Sequence, residues 1–179
     1  MKTIYASISK QESILKAIKE LEEYRDSLLP KTEIFVRRLA EIGVEAAELA
    51  VAGAEGDSDK PRFSFTFNTI YGEVDGQIIM TSTPHVDEDG RIFYPHLAWE
   101  FGAGIFYNNG NANPKAHEFG MGVGTFPNQK HALNDYWWYR DETGNLHLSK
   151  GTEAAMPMYK ASVEIITQID TIAREVFGG

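Results

Sequence analysis

Phe63-Ser64-Phe65-Thr66-Phe67-Asn68 is the stretch that decides the fold. Phenylalanine at every second position, with small polar residues between, has the period of a strand that buries one face and wets the other. After a turn near Tyr71-Gly72, Val74 to Thr83 reads as its antiparallel partner. Asp87-Glu88-Asp89-Gly90 supplies a further turn before Ile92-Phe93-Tyr94. Upstream the period changes to that of a helix. Ser9 and Glu12 have the form of a capping box. Ile14, Ile18, Leu21 and Leu28 return at helical spacing opposite Lys16, Lys19, Glu20, Glu22 and Glu23. Proline 30 predicts the end of this helix, and a second one follows from Lys31 with Phe35, Leu39, Ile42, Ala46 and Ala50 as its apolar stripe, broken at Gly56 to Pro61. Before all of these, Ile4, Ala6 and Ile8 alternate weakly, as in a short strand.

Downstream, the stretch from Tyr107 to Asn134 is rich in Gly, Asn and Pro and is longer than structureless loops usually are in compact domains, so it predicts a loop that needs a partner. Tyr136-Trp137-Trp138-Tyr139 and Leu146-His147-Leu148 flank the turn-rich Asp141 to Asn145, which predicts a hairpin. Pro157 then opens a helix through Phe177, with Ala161, Ile165, Ile169, Ile172 and Val176 toward the core. The fold class that results is α+β. The expected architecture is an antiparallel sheet of about four strands packed against two long helices, with a third helix at the N-terminus. The chain, residues 1–179, reads as a single domain carrying a loop insertion at about 106–135.

Charge and composition narrow the function. Twenty-six acidic against 17 basic residues give a formal charge of -9, which argues against a broad grip on nucleic-acid phosphates. The absence of cysteine removes disulfides, thiolate metal sites and cysteine nucleophiles together. Met1 to Lys16 lacks the apolar run of a signal peptide, and no later run reaches membrane-spanning length, so a cytoplasmic protein with no membrane partner is expected.

Candidate chemistry centres on histidine. His96 with Glu100, and the pair His117-Glu118, could serve a metal or acid-base site. However, no His-Glu-x-x-His occurs, because Met121 stands where the second histidine would be. A metal-dependent hydrolase using His96, Glu100 and His117 is therefore an alternative reading, and the leading reading has no catalytic residues, no metal and no cofactor. Gly120, Gly122 and Gly124 alternate without the spacing or flanking helix of a phosphate cradle, and Asp87 and Asp89 open a calcium-like loop that is not completed. There is no Gly-x-Ser-x-Gly elbow. The aromatic run at 136–139 lacks the interleaved Lys and Arg of a base-stacking surface, and reads as core or subunit contact.

Three stretches in fixed order carry more. They are Tyr94-Pro95-His96-Leu97-Ala98-Trp99-Glu100-Phe101-Gly102-Ala103-Gly104, then Trp137-Trp138-Tyr139-Arg140-Asp141, then Gly151-Thr152-Glu153-Ala154-Ala155-Met156-Pro157-Met158-Tyr159. Together they resemble the tail-completion or head-tail joining family of long-tailed bacteriophages, also described as minor tail components of the neck. In that family a tyrosine-containing stretch leads into Glu-Phe-Gly-Thr-Gly, and a small-residue run precedes Pro-Phe or Pro-Met at the last helix. Glu100, Phe101, Gly102 and Gly104 match, as do Ala155, Pro157 and Met158. Ala103 stands where threonine is usual, and the aromatic spacing before Glu100 is shifted. The order of a capped helix, Leu39 to Gly43 in a second helix, a sheet, a variable loop and a terminal helix extends the resemblance over nearly the whole chain.

The resemblance implies a non-enzymatic virion protein of a phage or prophage, made in the host cytoplasm and resident in the neck or tail. It would form a homo-oligomeric ring and bind neighbouring connector, tail-terminator or tail-tube proteins. An acidic lumen would let DNA pass without adhering. Trp99, Glu100, Phe101, Gly102, Gly104, Phe119 and Phe126 are the expected subunit-interface residues, with the long loop as contacting arm. Trp99 and Phe101 would be turned to an edge or surface by the two glycines, and Glu100 would either cap a backbone amide or pair across subunits. Trp137, Trp138, Tyr139, Met156, Pro157, Met158 and Tyr159 form the structural motif, expected in the core. A small partner-binding module of the immunity type would use the same aromatic residues and is a further alternative.

Overall fold

The computed structural model describes residues 5, 7, 10–70, 72–86, 89–109, 113–125, 128–140 and 143–178. Helix α1 runs Gln11–Ala52. Strands β1 (Arg62–Ile70) and β2 (Glu73–Thr81) form the long hairpin, and β3 (His85–Val86) pairs with β4 (Ile92–Phe93). Short helices α2 (Pro95–Phe101) and α3 (Ile105–Asn108) and a 3-10 turn at Ala116–Phe119 lead to β5 (Trp137–Arg140) and β6 (Leu146–Ser149), and α4 (Pro157–Phe177) closes the described chain. No helix among the described residues is long and apolar enough to cross a membrane.

The α+β reading holds, with the β1–β2 hairpin and the terminal helix at Pro157–Phe177 where the periods placed them. The single sheet of about four strands does not form: among the described residues the strands make three separate two-stranded antiparallel ladders. The β3–β4 ladder has only two pairs, His85 with Phe93 and Val86 with Ile92, too short to extend the long hairpin.

The two expected N-terminal helices are one. Pro30 lies inside α1. A proline removes one i to i−4 hydrogen bond and crowds the carbonyl four residues back, which often ends a helix but need not when both sides propagate well. Here the helix runs on through Pro30, and just beyond it Thr32 donates its hydroxyl to the Leu28 carbonyl at 2.9 Å. The start also differs from the capping-box reading. The N-cap is Lys10, with no side-chain cap, and the partner group is the Ser13 hydroxyl, which accepts from the Ser7 amide at 2.9 Å. Ser9 and the weak alternation from Ile4 to Ile8 lie outside the described residues, as does Asp87.

The core sits between the second half of α1, the β1–β2 hairpin and α4. Helices α1 and α4 are antiparallel, since Phe35 meets Phe177 (ring centroids 5.6 Å apart), Arg38 pairs with Glu175, and Gly43 lies against Ile165. Gly43 also faces Ile78 of β2, and Gly76 faces Val36. Small residues on α1 thus let the helix and hairpin approach closely, as the Ala-rich end of its stripe implies. Ala40, Ala47 and Val51 are buried on this face. On α4, Ala161 and Ile172 are buried, whereas Ile169, expected in the core, is 41% exposed. The helix leans on α1 along a narrower stripe than five apolar positions would fill.

Candidate functional site

The stretches Pro95 to Gly104 and Gly151 to Tyr159 converge on one buried carboxylate. Pro95 starts α2 without costing a hydrogen bond, because the first-turn amide has no partner in a helix. One and a half turns later Trp99, Glu100 and Phe101 point inward. Trp99 is fully buried and donates its indole N–H to the carbonyls of Ser58 (3.2 Å) and Asp59 (2.9 Å). It packs with Val51 and Ala155, while Phe101 packs with Ala98, Ala103 and Ala116. The expectation that these aromatics occupy an edge or surface is therefore corrected. Gly102 and Gly104 do turn the chain sharply, at φ 86° and 74°, but the turn leads into Ala103, which pairs with Thr152, and α2 packs on α4. The ring of Trp137 lies where a side chain on Gly104 would have to sit.

Glu100, 6% exposed, caps α4. The amide of Met158 donates to its Oε2 at 2.8 Å, and the amide of Tyr159 donates to its Oε1 at 3.1 Å. Both are first-turn groups left without intrahelical acceptors, and a carboxylate at the positive end of the helix is doubly suited to them. The side-chain amide of Asn113, itself buried, adds a third donor to Oε1 at 2.9 Å. Burial nevertheless raises the pKa of Glu100 above its ordinary value. The three hydrogen bonds and Lys160 pull the other way without restoring it, so desolvation outweighs them. Of the two roles expected for Glu100, backbone capping is the one the geometry contains, and no carboxylate oxygen is left on the surface for pairing across subunits.

The neighbouring backbone is zipped without regular sheet. Ala103 and Thr152 exchange both amide–carbonyl bonds at 2.9 Å, Glu153 donates its amide to Glu55 at 2.8 Å, and Met156 donates its amide to the Trp99 carbonyl at 3.1 Å. Met156 is in the left-handed region at φ 57°, which turns the strand-like segment into Pro157 at the first turn of α4. Asn108 ties two of these segments, at Gly104 and at Thr152–Ala154. Its amide group donates to the carbonyls of Gly104 (2.8 Å) and Thr152 (2.9 Å), and its oxygen accepts from the Ala154 amide at 2.8 Å. The sequence reading missed Asn108 and Asn113, because an asparagine in a Gly/Asn-rich loop looks like turn chemistry until its partners are known.

The other candidates spread apart. Gly102 and Gly104 are buried with the node. Phe119 is 65% exposed at the end of the 3-10 turn, and Phe126 lies outside the described residues. The loop does not stand out as an arm throughout its described part, since Asn113, Ala116 and Ala132 are buried and Ala116 packs on Phe101. Of the structural motif, Pro157 is buried and Met156, Met158, Tyr159 and Trp137 are partly buried. Trp138 (58%) and Tyr139 (43%) are on the surface rather than in the core. A four-residue ladder alternates faces, so Trp138 points away from the side on which Trp137 covers Gly104.

The trio His96, Glu100 and His117 does not assemble. His96 sits against Ser82, whose hydroxyl lies 2.8 Å from Nδ1, and burial lowers its pKa; Glu100 is engaged by α4; His117 is exposed on the 3-10 turn. Among the described residues no three His, Asp or Glu side chains group closely enough to hold a metal. No protein-family model, curated protein or solved structure matches the chain. One open cleft of about 340 Å³ adjoins the node, its lining including Ala103, Gly151, His85, Phe93, His131 and Trp137. His131 stacks on Trp137 with ring planes 12° apart, giving the cleft a flat apolar side.

Proposed function

We propose that the chain is a non-enzymatic structural protein of a tailed phage or prophage, acting in head-tail joining or tail completion as a ring-forming component of the virion. The observation that carries the reading is the convergence of the separate stretches that resemble the family. Glu100 binds the start of the Pro157–Phe177 helix, and Gly102 to Gly104 pair with Thr152 beneath Trp137. Residues matched at positions so far apart make one structural unit, and their role there is to lock α2, the hairpin and α4 together, as befits a scaffold rather than a reaction centre.

The surface left over suits assembly. Trp138, Tyr139, Phe106 and Phe119 are exposed aromatics, the residue type that anchors protein interfaces. With the buried motif residues removed from consideration, subunit contact in this reading falls to these rings. A ring of subunits each carrying -9 would present DNA with a repelling lumen, and a channel lined by basic residues would contradict that part of the proposal. Mass spectrometry of particles purified from a strain encoding the chain tests the assignment. The chain is expected at a fixed, multiple copy number per particle, and its absence from mature and partially assembled particles would refute it.

A further inference from the structure

The cleft beside the node is built from parts that the scaffold role leaves unused. The β5–β6 ladder sets Trp137 opposite Ser149 and Tyr139 opposite His147. Cross-strand partners project on the same side, so Trp137, Tyr139 and Ser149 face one way, and all three line the cleft. Its volume of about 340 Å³ lies at the small end of the range of roughly 300–1,000 Å³ usual for small-molecule sites, which suits a molecule of one or two rings. The walls are fixed before anything enters. A Cβ on Gly104 or Gly151 would sit 2.9 or 3.3 Å from the Trp137 ring, and His131 stacks on that ring with centroids 5.0 Å apart. Gln129 is held at both ends, its amide donating to the Gly102 carbonyl at 3.3 Å and its oxygen accepting from the Gly124 amide. Flat, rigid rings select a flat occupant.

The polar lining defines the occupant's edge. Arg91 and Lys130 are engaged by Asp89 at 3.7 and 3.5 Å, and His85 lies 2.9 Å from Asp59, so a free anion finds no unmatched basic group. A free cation would meet the same two basic side chains, and a neutral molecule suits the cleft best. Two polar atoms of the lining are open for it. Ser149, 3% exposed, accepts from the Gly151 amide at 3.1 Å, and its hydroxyl proton goes to no acceptor among the described residues. Asp57 is fixed beside it, donating its amide to the Gly151 carbonyl at 3.0 Å and accepting the Lys150 amide on Oδ2 at 2.8 Å. Its Oδ1 receives no donor among the described residues. A donor and an acceptor beside flat apolar walls match a ring edge on which an N–H adjoins a carbonyl. We infer that the cleft binds a neutral heteroaromatic molecule of the nucleobase or nucleoside class. Ser149 donates to its carbonyl, Asp57 accepts its N–H, and the ring lies along Trp137. The charge of -9 works against the same base within a nucleic-acid strand, so the ligand is the free molecule. This binding is independent of the virion assignment.

Inosine presents this edge through its ring N–H and carbonyl, and 1-methylinosine blocks the N–H without changing the rings. Titrated into the isotope-labelled full chain and followed by NMR, inosine is expected to shift the amides of Ala103 and Gly151 and the indole N–H of Trp137. A Kd of about 0.1–1 mM is expected for a ligand of this size, and 1-methylinosine should bind about tenfold more weakly. Asp57→Asn keeps an oxygen for the Lys150 amide but turns the open acceptor into a donor. It should weaken inosine about tenfold and leave 1-methylinosine unchanged, a split that a loss of folding would not produce. Ser149→Ala should weaken inosine by a similar factor. No shifts at about 10 mM inosine, shifts confined to residues away from the cleft, equal affinity for the two nucleosides, or an equal loss for both in Asp57→Asn would each overturn the inference. Tighter binding of a single-stranded oligonucleotide carrying inosine would also overturn it, by placing the base in a strand.

Discussion

Replacing Glu100 with glutamine changes one atom and tests the node at its centre. The carboxylate receives three donors: Met158 N–H on Oε2, and Tyr159 N–H and the Asn113 amide on Oε1. Glutamine keeps one oxygen. With that oxygen in the Oε1 position, its amide nitrogen faces the Met158 N–H, donor against donor, inside a region that is 6% exposed for this residue. The new amide and the Met158 N–H are then both unsatisfied, and a buried donor without a partner costs about 1–3 kcal/mol. Part of this is offset because the buried charge is gone, and desolvation already outweighs the hydrogen bonds on the wild-type carboxylate. The net loss expected is about 2–4 kcal/mol, or roughly 5–15 °C in Tm for a chain of this size. Urea denaturation followed by circular dichroism measures it.

The same group sets a pH signature. The folded-state pKa of Glu100 is raised, so the native chain binds this proton more tightly than the unfolded chain does. Its contribution is full below the ordinary carboxylate pKa and is lost as pH rises through the folded value. The stability difference between wild type and Glu100→Gln should therefore shrink as pH rises across that window. A difference that grows instead, or a variant as stable as wild type at every pH, would refute the account of the capped carboxylate.

Further outcomes follow from particular contacts. Asn108→Ala removes two donated bonds and one accepted bond in a part-buried site, and should cost about 2–4 kcal/mol in chemical denaturation. Gly151→Ala should fail to reach the native fold by near-ultraviolet circular dichroism, because φ there is 88° and a Cβ would overlap the Ala103 carbonyl oxygen. Glu175→Ala, which breaks the exposed pair with Arg38, should change stability by less than about 1 kcal/mol in the same denaturation assay. Duplex DNA should not be retained by the purified chain in a filter assay at physiological salt, given its charge of -9.

The legible parts of the fold were those with a period. Phe63, Phe65 and Phe67 placed β1, the turn after Arg140 placed the aromatic hairpin, and Pro157 with its apolar stripe placed α4. What failed depended on balances that a sequence does not state. Pro30 looked like a terminus because its local cost is visible, whereas the helical turns that outweigh it act over many residues. Trp99 and Phe101 looked like surface anchors because glycines follow them, but the direction of the Gly102–Gly104 turn is set by Ala103 pairing with Thr152, almost fifty residues away. Partners 44 and 46 residues away hid Asn108, and Asn113 was hidden because its partner Glu100, 13 residues back, lies across a turn-rich stretch. Glu100 was legible as a candidate and its capping role as one of two readings; only the approach of Met158 and Tyr159 distinguishes them.

The chain is, as proposed, a structural joint of a virion. Electron microscopy of particles from a strain deleted for its gene tests this most directly. Separated full heads and finished tails are the predicted result, and normal infectious particles would contradict it.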